Sequence, residues 1–374
     1  MILSLEEKLQ KREAGGNLRG LQLRKNLIDF SSNDYLGIGR SPKFAAGILE
    51  ECGRRVESCL FGSTGSRLLT GNTLYAEELE KSIALFHGYE TGLIFNCGYM
   101  ANIGLLSTVA GDRDIIFYDS EVHASIREGI RLSTSKAFPF RHNDIEHLEN
   151  RLKKNSCRGN QFISVESIYS TDGSVSPLPE ICRLAKKYGA RVLVDEAHAV
   201  GVSGILGKGL VDEYNLSSEV FAQVNTFGKA LGAHGAIVLG GPLLKKSLIN
   251  FANSYIYTTA LPLHSLIAIQ SGYHLFPRLE NERIQLKKNI SIFRNLFPNS
   301  SSTHIQAIRI KGNEKVKKAS QKLLYAGFDI RPLTSPTVRR GHEILRISLH
   351  AFNTESELIR LFQEIGSIKE MNFE

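Results

Sequence analysis

From residue 91 to residue 194 the chain repeats one pattern, a short apolar run followed by a stretch with helical spacing. Apolar runs at 91–95, 114–118, 137–140, 161–165 and 191–194 alternate with helical patterns at 99–109, 123–132, 145–153 and 178–188. Such alternation predicts an α/β fold with a mostly parallel sheet covered by helices on both faces. Ligands in sheets of this kind bind beyond the carboxyl ends of the strands. Further strands are expected at 220–224 and 236–239.

The flanks are less regular. A short amphipathic helix is expected at 2–13, a strand at 27–30 and a helix at 42–56. The small-residue loop Gly62-Ser63-Thr64-Gly65-Ser66-Arg67 follows, and Asn72 or Thr73 caps a helix over 74–87. Past Pro262 come helical patterns at 263–276, 283–297, 315–325 and 355–369, interleaved with strands at 305–310, 328–332 and 344–349. This reads as a smaller α+β domain. The expected division is an N-terminal segment 1–45, a large domain 46–270 and a small C-terminal domain 271–374.

At 374 residues, 42% of them hydrophobic and 22% charged, the chain has the composition of a globular protein with a sizeable core. Its net charge of +8 is spread over pairs such as Lys153-Lys154 and Arg339-Arg340. That spread suits anionic small molecules and gives no sign of a nucleic-acid partner. Five cysteines without a C-x-x-C pair argue against a disulfide framework or a structural zinc site, and no metal site is expected. Neither a signal-peptide core nor a membrane-length apolar run is present in the sequence, so no membrane partner and a cytoplasmic location are expected.

The chemistry-bearing residues fall where strands stop. After 191–194 comes Asp195-Glu196-Ala197-His198. An aspartate there stays ionised only against a cation or strong donors, although alone it reads more readily as a cap for the next turn. His198 reaches the same cavity or is a satisfied structural histidine. After 91–95, Asn96-Cys97-Gly98-Tyr99 opens a helix through glycine, a ready phosphate site. After 161–165 comes the hydroxyl-rich Glu166-Ser167-Ile168-Tyr169-Ser170-Thr171-Asp172-Gly173. After 220–224, Asn225-Thr226-Phe227-Gly228-Lys229 puts a lysine between glycines and apolar runs. Partial desolvation favours its neutral, nucleophilic amine, while Thr-x-Gly-Lys alone also describes a solvated loop lysine. Together these ends supply a phosphate cradle, a carboxylate, a histidine and a lysine. Pyridoxal phosphate (PLP) needs that set: the carboxylate for its ring nitrogen, the lysine for its aldehyde, donors for its phosphate.

The chain resembles the α-oxoamine synthase group of fold-type-I PLP-dependent transferases, which are class II aminotransferase-like. The resemblance rests on Ser32-Asn33-Asp34-Tyr35-Leu36-Gly37, Gly65-Ser66-Arg67-Leu68-Leu69-Thr70-Gly71, His123-Ala124-Ser125, Asp172-Gly173, Asp195-Glu196-Ala197-His198-Ala199, Thr226-Phe227-Gly228-Lys229 and Tyr257-Thr258-Thr259. It implies that Lys229 carries PLP as a Schiff base, Asp195 pairs with the ring nitrogen, His198 contacts the ring hydroxyl, and His123 stacks on the ring and faces the substrate. By the same resemblance the phosphate meets Gly98, Tyr99, Ser170 and Thr226, with Thr259 supplied across a homodimer. Arg19, Thr337 and Arg346 match substrate-handling positions. Arg346 is the candidate carboxylate clamp, and a structural ion pair is its other reading.

The implied reaction is decarboxylative condensation of L-alanine with a pimeloyl thioester, carried by coenzyme A or acyl carrier protein, in biotin synthesis. Another member of the group joins glycine to acetyl-CoA with nearly the same cofactor motifs. Phe227 and Gly232-Ala233-His234-Gly235-Ala236 lean away from that member. Val200 and Tyr99 stand where relatives often carry threonine and phenylalanine, which leaves substrate fit open. A non-catalytic regulator on the same fold would be expected to lack Lys229 or Asp195.

Overall fold

The computed structural model describes residues 2–21, 23, 26–55 and 61–370. Val56, at the end of the expected helix 42–56, and Cys59 lie outside them. The chain divides into two units. One comprises Leu36–Tyr169 and Val175–Glu280, the other Met1–Tyr35, Ser170–Ser174 and Asn281–Glu374.

The first unit is built on a seven-stranded sheet. Its spatial order is Thr91–Phe95, Ala236–Gly240, Val220–Thr226, Arg191–Asp195, Gln161–Glu166, Ile115–Asp119, Lys136–Phe140. Five strands pair in parallel, from Val220–Thr226 to Lys136–Phe140. Ala236–Gly240 runs antiparallel to both neighbours. The reason is chain length: a parallel crossover needs about a dozen residues or more. The link from Thr226 to Ala236 is shorter and closes as a hairpin. The mostly parallel sheet expected from the alternation is therefore present, with one reversed strand.

Helices cover the sheet because its central strands carry apolar runs that need burial on both faces. Val192, Leu193 and Val194 are all buried, as a strand covered on both faces requires. The helix Gly98–Val109 packs on Ala124–Leu132, and Leu93, Phe95, Leu105, Ile126, Leu193 and Val224 share one core with them. Leu263–Leu275 also belongs to this unit and packs on Pro42–Gly53. The helix Pro242–Phe251 was not expected from the sequence. Its signal was present: a proline at the first helical turn costs no hydrogen bond and presets the backbone angle.

In the second unit, Arg331–Leu333, Ile344–Ser348 and Ile305–Arg309 form an antiparallel sheet. The helices Asn313–Tyr325 and Glu355–Glu370 bury Val316, Leu323, Leu361 and Ile365. The expected strand 328–332 splits: Phe328–Asp329 pairs with Ile28–Asp29, and Arg331–Leu333 turns to Ile344–Ser348. The segment Ser170–Ser174 is held here, because Gly173 O accepts from Ser301 Oγ (2.7 Å) and Thr303 Oγ1 (3.0 Å). At Gly173, with φ +74, a Cβ would lie 2.1 Å from Ile305 O, so only glycine fits. Among the described residues no helix is long and apolar enough to cross a membrane.

Candidate active site

Parallel strands end on one edge, and the first unit gathers its polar side chains there. Asp195 and Glu166 are the last residues of adjacent strands and lie in register. Asp195 is buried, with Oδ1 accepting from Ala197 N (2.9 Å) and Oδ2 from Asn102 Nδ2 (2.7 Å). One oxygen thus performs the turn-capping role open to it from sequence, and the other faces inward. Both donors are neutral, so the buried negative charge has no cation among these partners. A cationic ring N–H would fit it.

His123 caps the helix Ala124–Leu132, accepting the Ser125 N–H at Nδ1 (3.2 Å), with Ser125 Oγ 2.7 Å from the same nitrogen. Its backbone N–H donates to Glu166 Oε1 (2.5 Å). His123 is exposed as a residue, and Tyr99 meets its ring edge-on at 6.4 Å. Desolvation by the surrounding protein holds the imidazole below its ordinary pKa; the Asp195 carboxylate opposes this and the Lys229 ammonium reinforces it. Burial first, and the Asp195 charge second, push the Glu166 carboxyl up to about 8, against the pull of Lys229. Asp195, His123, Glu166 and Lys229 therefore act on one another at a single strand-end edge.

Lys229 sits half-buried in the hairpin loop after Thr226. That loop ties itself down through Phe227 N to Gly235 O (2.9 Å), Ala233 N to Phe227 O (2.8 Å) and Gly232 N to Lys229 O (3.0 Å). Phe227, Ala230 and Leu231 are buried around it, so the lysine is mounted on a rigid base. His198 is buried in the turn after Asp195.

The helix Gly98–Val109 begins at Cys97, which makes no side-chain cap. Its first N–H groups therefore have no side-chain acceptor at the cap position, and they suit an anion. A Cβ at residue 98 would lie 2.5 Å from Thr226 Cγ2, so glycine lets the helix end approach Thr226. Thr259 is exposed; it forms a bridge with Ser66, and its carbonyl accepts from Asn96 Nδ2 (2.8 Å). These residues fit PLP, with a helix end free of a side-chain cap for the phosphate, a buried carboxylate held by two neutral donors for the ring nitrogen, and a mounted lysine for the aldehyde.

The remaining expected residues belong to the second unit. Arg346 Nε donates to Ser170 O (2.6 Å), Nη1 to Ser348 Oγ (2.9 Å) and Nη2 to Asn33 Oδ1 (3.1 Å). All three acceptors are neutral, so the structural ion pair considered from sequence is not what holds this guanidinium. Arg19 Nη2 donates to Thr337 Oγ1 (3.0 Å), and both line an open groove with Lys317 and Arg331.

Sequence reasoning passed over Asn102 and the part played by Glu166. A lone amide in the otherwise apolar turns Gly98–Val109 was the available signal for Asn102. Glu196 was also missed. It is fully buried, accepts from Leu210 N (2.9 Å) and Val211 N (2.8 Å), and is pushed up to about 8 by burial.

A family model described as aminotransferase class I and II matches residues 25–365. With the fold and site, this makes the chain a fold-type-I PLP-dependent transferase. The 8-amino-7-oxononanoate synthase of Emericella nidulans is 39% identical over 97% of this chain and 95% of its own length. A solved 8-amino-7-oxononanoate synthase from Francisella tularensis is 28% identical, covering 93% of this chain and 98% of that one, with a TM-score of 0.79. A serine palmitoyltransferase from S. paucimobilis with a bound PLP–myriocin aldimine is 25% identical, covering 98% and 97%, with a TM-score of 0.88. The chain belongs to the 8-amino-7-oxononanoate synthase family of PLP-dependent acyltransferases.

Proposed function

We propose that this chain condenses L-alanine with a pimeloyl thioester to give 8-amino-7-oxononanoate, carbon dioxide and the free thiol carrier, the step its family serves in biotin synthesis. The observation that carries the reading is the placement of Asp195, His123 and Lys229 around one strand-end edge, beside the uncapped helix end at Gly98. Bound PLP supplies an aldehyde for the amino acid and a protonated ring that takes up an electron pair from Cα.

The protein residues do the rest. Lys229 would hold the cofactor through its aldehyde, and its neutral amine would remove the Cα proton of the amino acid and later return one. Asp195 keeps a proton on the ring nitrogen, without which the ring is a poor electron sink. His198 is assigned to the ring hydroxyl. Gly98, Tyr99, Thr226 and Ser170 are assigned to the phosphate, together with Thr259 of a second subunit. His123 covers the ring and faces the incoming amino acid. Arg346, whose partners are all neutral, is assigned to a substrate carboxylate, and Arg19 and Thr337 to the acyl donor.

A homodimer is part of this reading. The exposed apolar side chains Phe61, Leu68, Leu69, Leu74 and Tyr257 lie on the segments that carry or bracket Thr259, and a second subunit would cover them. A cytoplasmic location also belongs to it. The test offers purified, PLP-loaded protein alanine or glycine against pimeloyl and acetyl thioesters, on coenzyme A and on acyl carrier protein. Mass spectrometry is expected to find 8-amino-7-oxononanoate from alanine and the pimeloyl donor. Preferential turnover of glycine with the acetyl donor would overturn the substrate assignment.

A further inference from the structure

The proton on His123 is placed by neighbours that the reaction itself does not use. A carboxylate can only accept hydrogen bonds. Asp195 Oδ2 therefore takes an N–H from Asn102, at 2.7 Å. The same Asn102 nitrogen lies 2.9 Å from Ser125 Oγ and gives it the second N–H. With its oxygen accepting from Asn102, the Ser125 hydroxyl is free to donate to His123 Nδ1, 2.7 Å away. The Ser125 backbone N–H, which has no acceptor capacity, points at the same Nδ1 from 3.2 Å. Two donors thus converge on one ring nitrogen, which must carry the lone pair. Asn102, Ser125 and Asp195 are all buried, so the two bonds that Asn102 donates are shielded from water. Among the described residues, Nε2 of His123 has no hydrogen-bond partner.

We propose that Asn102 and Ser125 are positioning residues that hold His123 with its proton on Nε2, so that the imidazole meets the substrate as a hydrogen-bond donor. Its bearing on catalysis rests on the reading of this edge as the PLP site. The polarity of the chain runs from the Asp195 carboxylate outward and leaves no alternative arrangement that keeps all four bonds. If Asn102 were turned over, its oxygen would face Asp195 and its donors would be lost to both neighbours. If Nδ1 were protonated, it would confront the Ser125 N–H. The groups facing the ring are Asp195 and Lys229, together with Glu166, which accepts the His123 backbone N–H. The lowered pKa of His123 agrees with a neutral ring. One amide thereby orients both the carboxylate assigned to the cofactor ring and the histidine assigned to the substrate.

The test is 15N NMR of histidine-labelled protein, with the His123 resonances identified by their loss in His123→Gln. In the wild-type chain, apo and PLP-loaded, Nε2 is expected to carry the proton and Nδ1 to be bare. In Ser125→Ala and Asn102→Leu the backbone N–H of residue 125 remains as a weaker donor to Nδ1, so a fraction of the ring should shift to the Nδ1-protonated form, the ring should titrate higher, and kcat/KM for the amino acid should fall about tenfold or more. Ser125→Thr, which retains the hydroxyl, should restore all three. A wild-type ring protonated at Nδ1 would overturn the proposal, as would a ring unchanged in Ser125→Ala. The wild-type spectrum decides the tautomer even if a buried substitution prevents folding. Failure of PLP to load would instead sink the site reading, while the apo spectrum still decides whether the lock exists.

Discussion

At the scale of single residues, close contacts separate chemical roles from packing. Asp195→Asn keeps an oxygen for Ala197 N but removes the charge. Cofactor should still bind, while exchange of the Cα proton of alanine should slow by the order of 10²-fold or more, as when a group stabilising transition-state charge is lost. Solvent-exchange NMR on alanine measures it, and an unchanged rate would contradict the electron-sink role. Gly98→Ala drives a methyl into Thr226 Cγ2. It should cost about 1–3 kcal/mol and weaken PLP binding. Adding Thr226→Ser, which deletes that methyl and keeps the hydroxyl, should recover much of the loss. A thermal melt with and without PLP reads both effects, and no recovery in the double variant would contradict the contact.

At the scale of elements, two buried polar arrangements tie the sheet to its helices. Glu80, on the helix Leu74–Phe86, meets Arg67 (2.7 Å), Lys245 (2.8 Å) and the Ile94 N–H (3.0 Å). Removing the carboxylate leaves two cations and a backbone donor unpaired. Glu80→Ala should therefore cost about 3–5 kcal/mol in a denaturant titration. The other arrangement is His87, at the end of the same helix, with Nε2 near Tyr273 Oη (3.1 Å) and Asn225 Nδ2 (3.2 Å). Burial, helped by the Lys208 charge, depresses its pKa to about 3.

A depressed histidine favours the folded state only while neutral. Below the unfolded value of about 6.5 the unfolded chain takes up the proton first, so stability should fall as pH drops from there towards 3. His87→Phe should flatten the pH dependence between neutral pH and pH about 5. An equal slope in both proteins would contradict it.

Most element positions were legible because buried parallel strands and amphipathic helices write strong periods. The reversed strand Ala236–Gly240 was not, because pairing direction depends on loop length and not on strand composition. Strand ends exposed Asp195, Thr226 and Lys229 to inspection. Asn102 and Glu80 stayed hidden, since an isolated polar residue on an apolar helix acquires its meaning only from partners distant in sequence.

For the whole molecule, a second copy is the partner the reading requires. Sedimentation of the purified chain should give a dimer, and Leu69→Glu with Tyr257→Glu should weaken it and lower PLP occupancy, because Thr259 would be lost from the partner's site. A monomeric wild-type chain with full activity would contradict that assignment. The fold-level likeness left alanine and glycine undecided, because one methyl on a substrate is a difference of about 1–3 kcal/mol set by cavity shape.

The central claim is that Lys229 is the amine that holds the cofactor. Borohydride reduction of the PLP-loaded protein, followed by peptide mass spectrometry, tests it most directly. A stable pyridoxyl adduct is expected on the peptide containing Lys229, and none in Lys229→Ala. An adduct on another lysine, or none in the wild-type chain, would contradict the account.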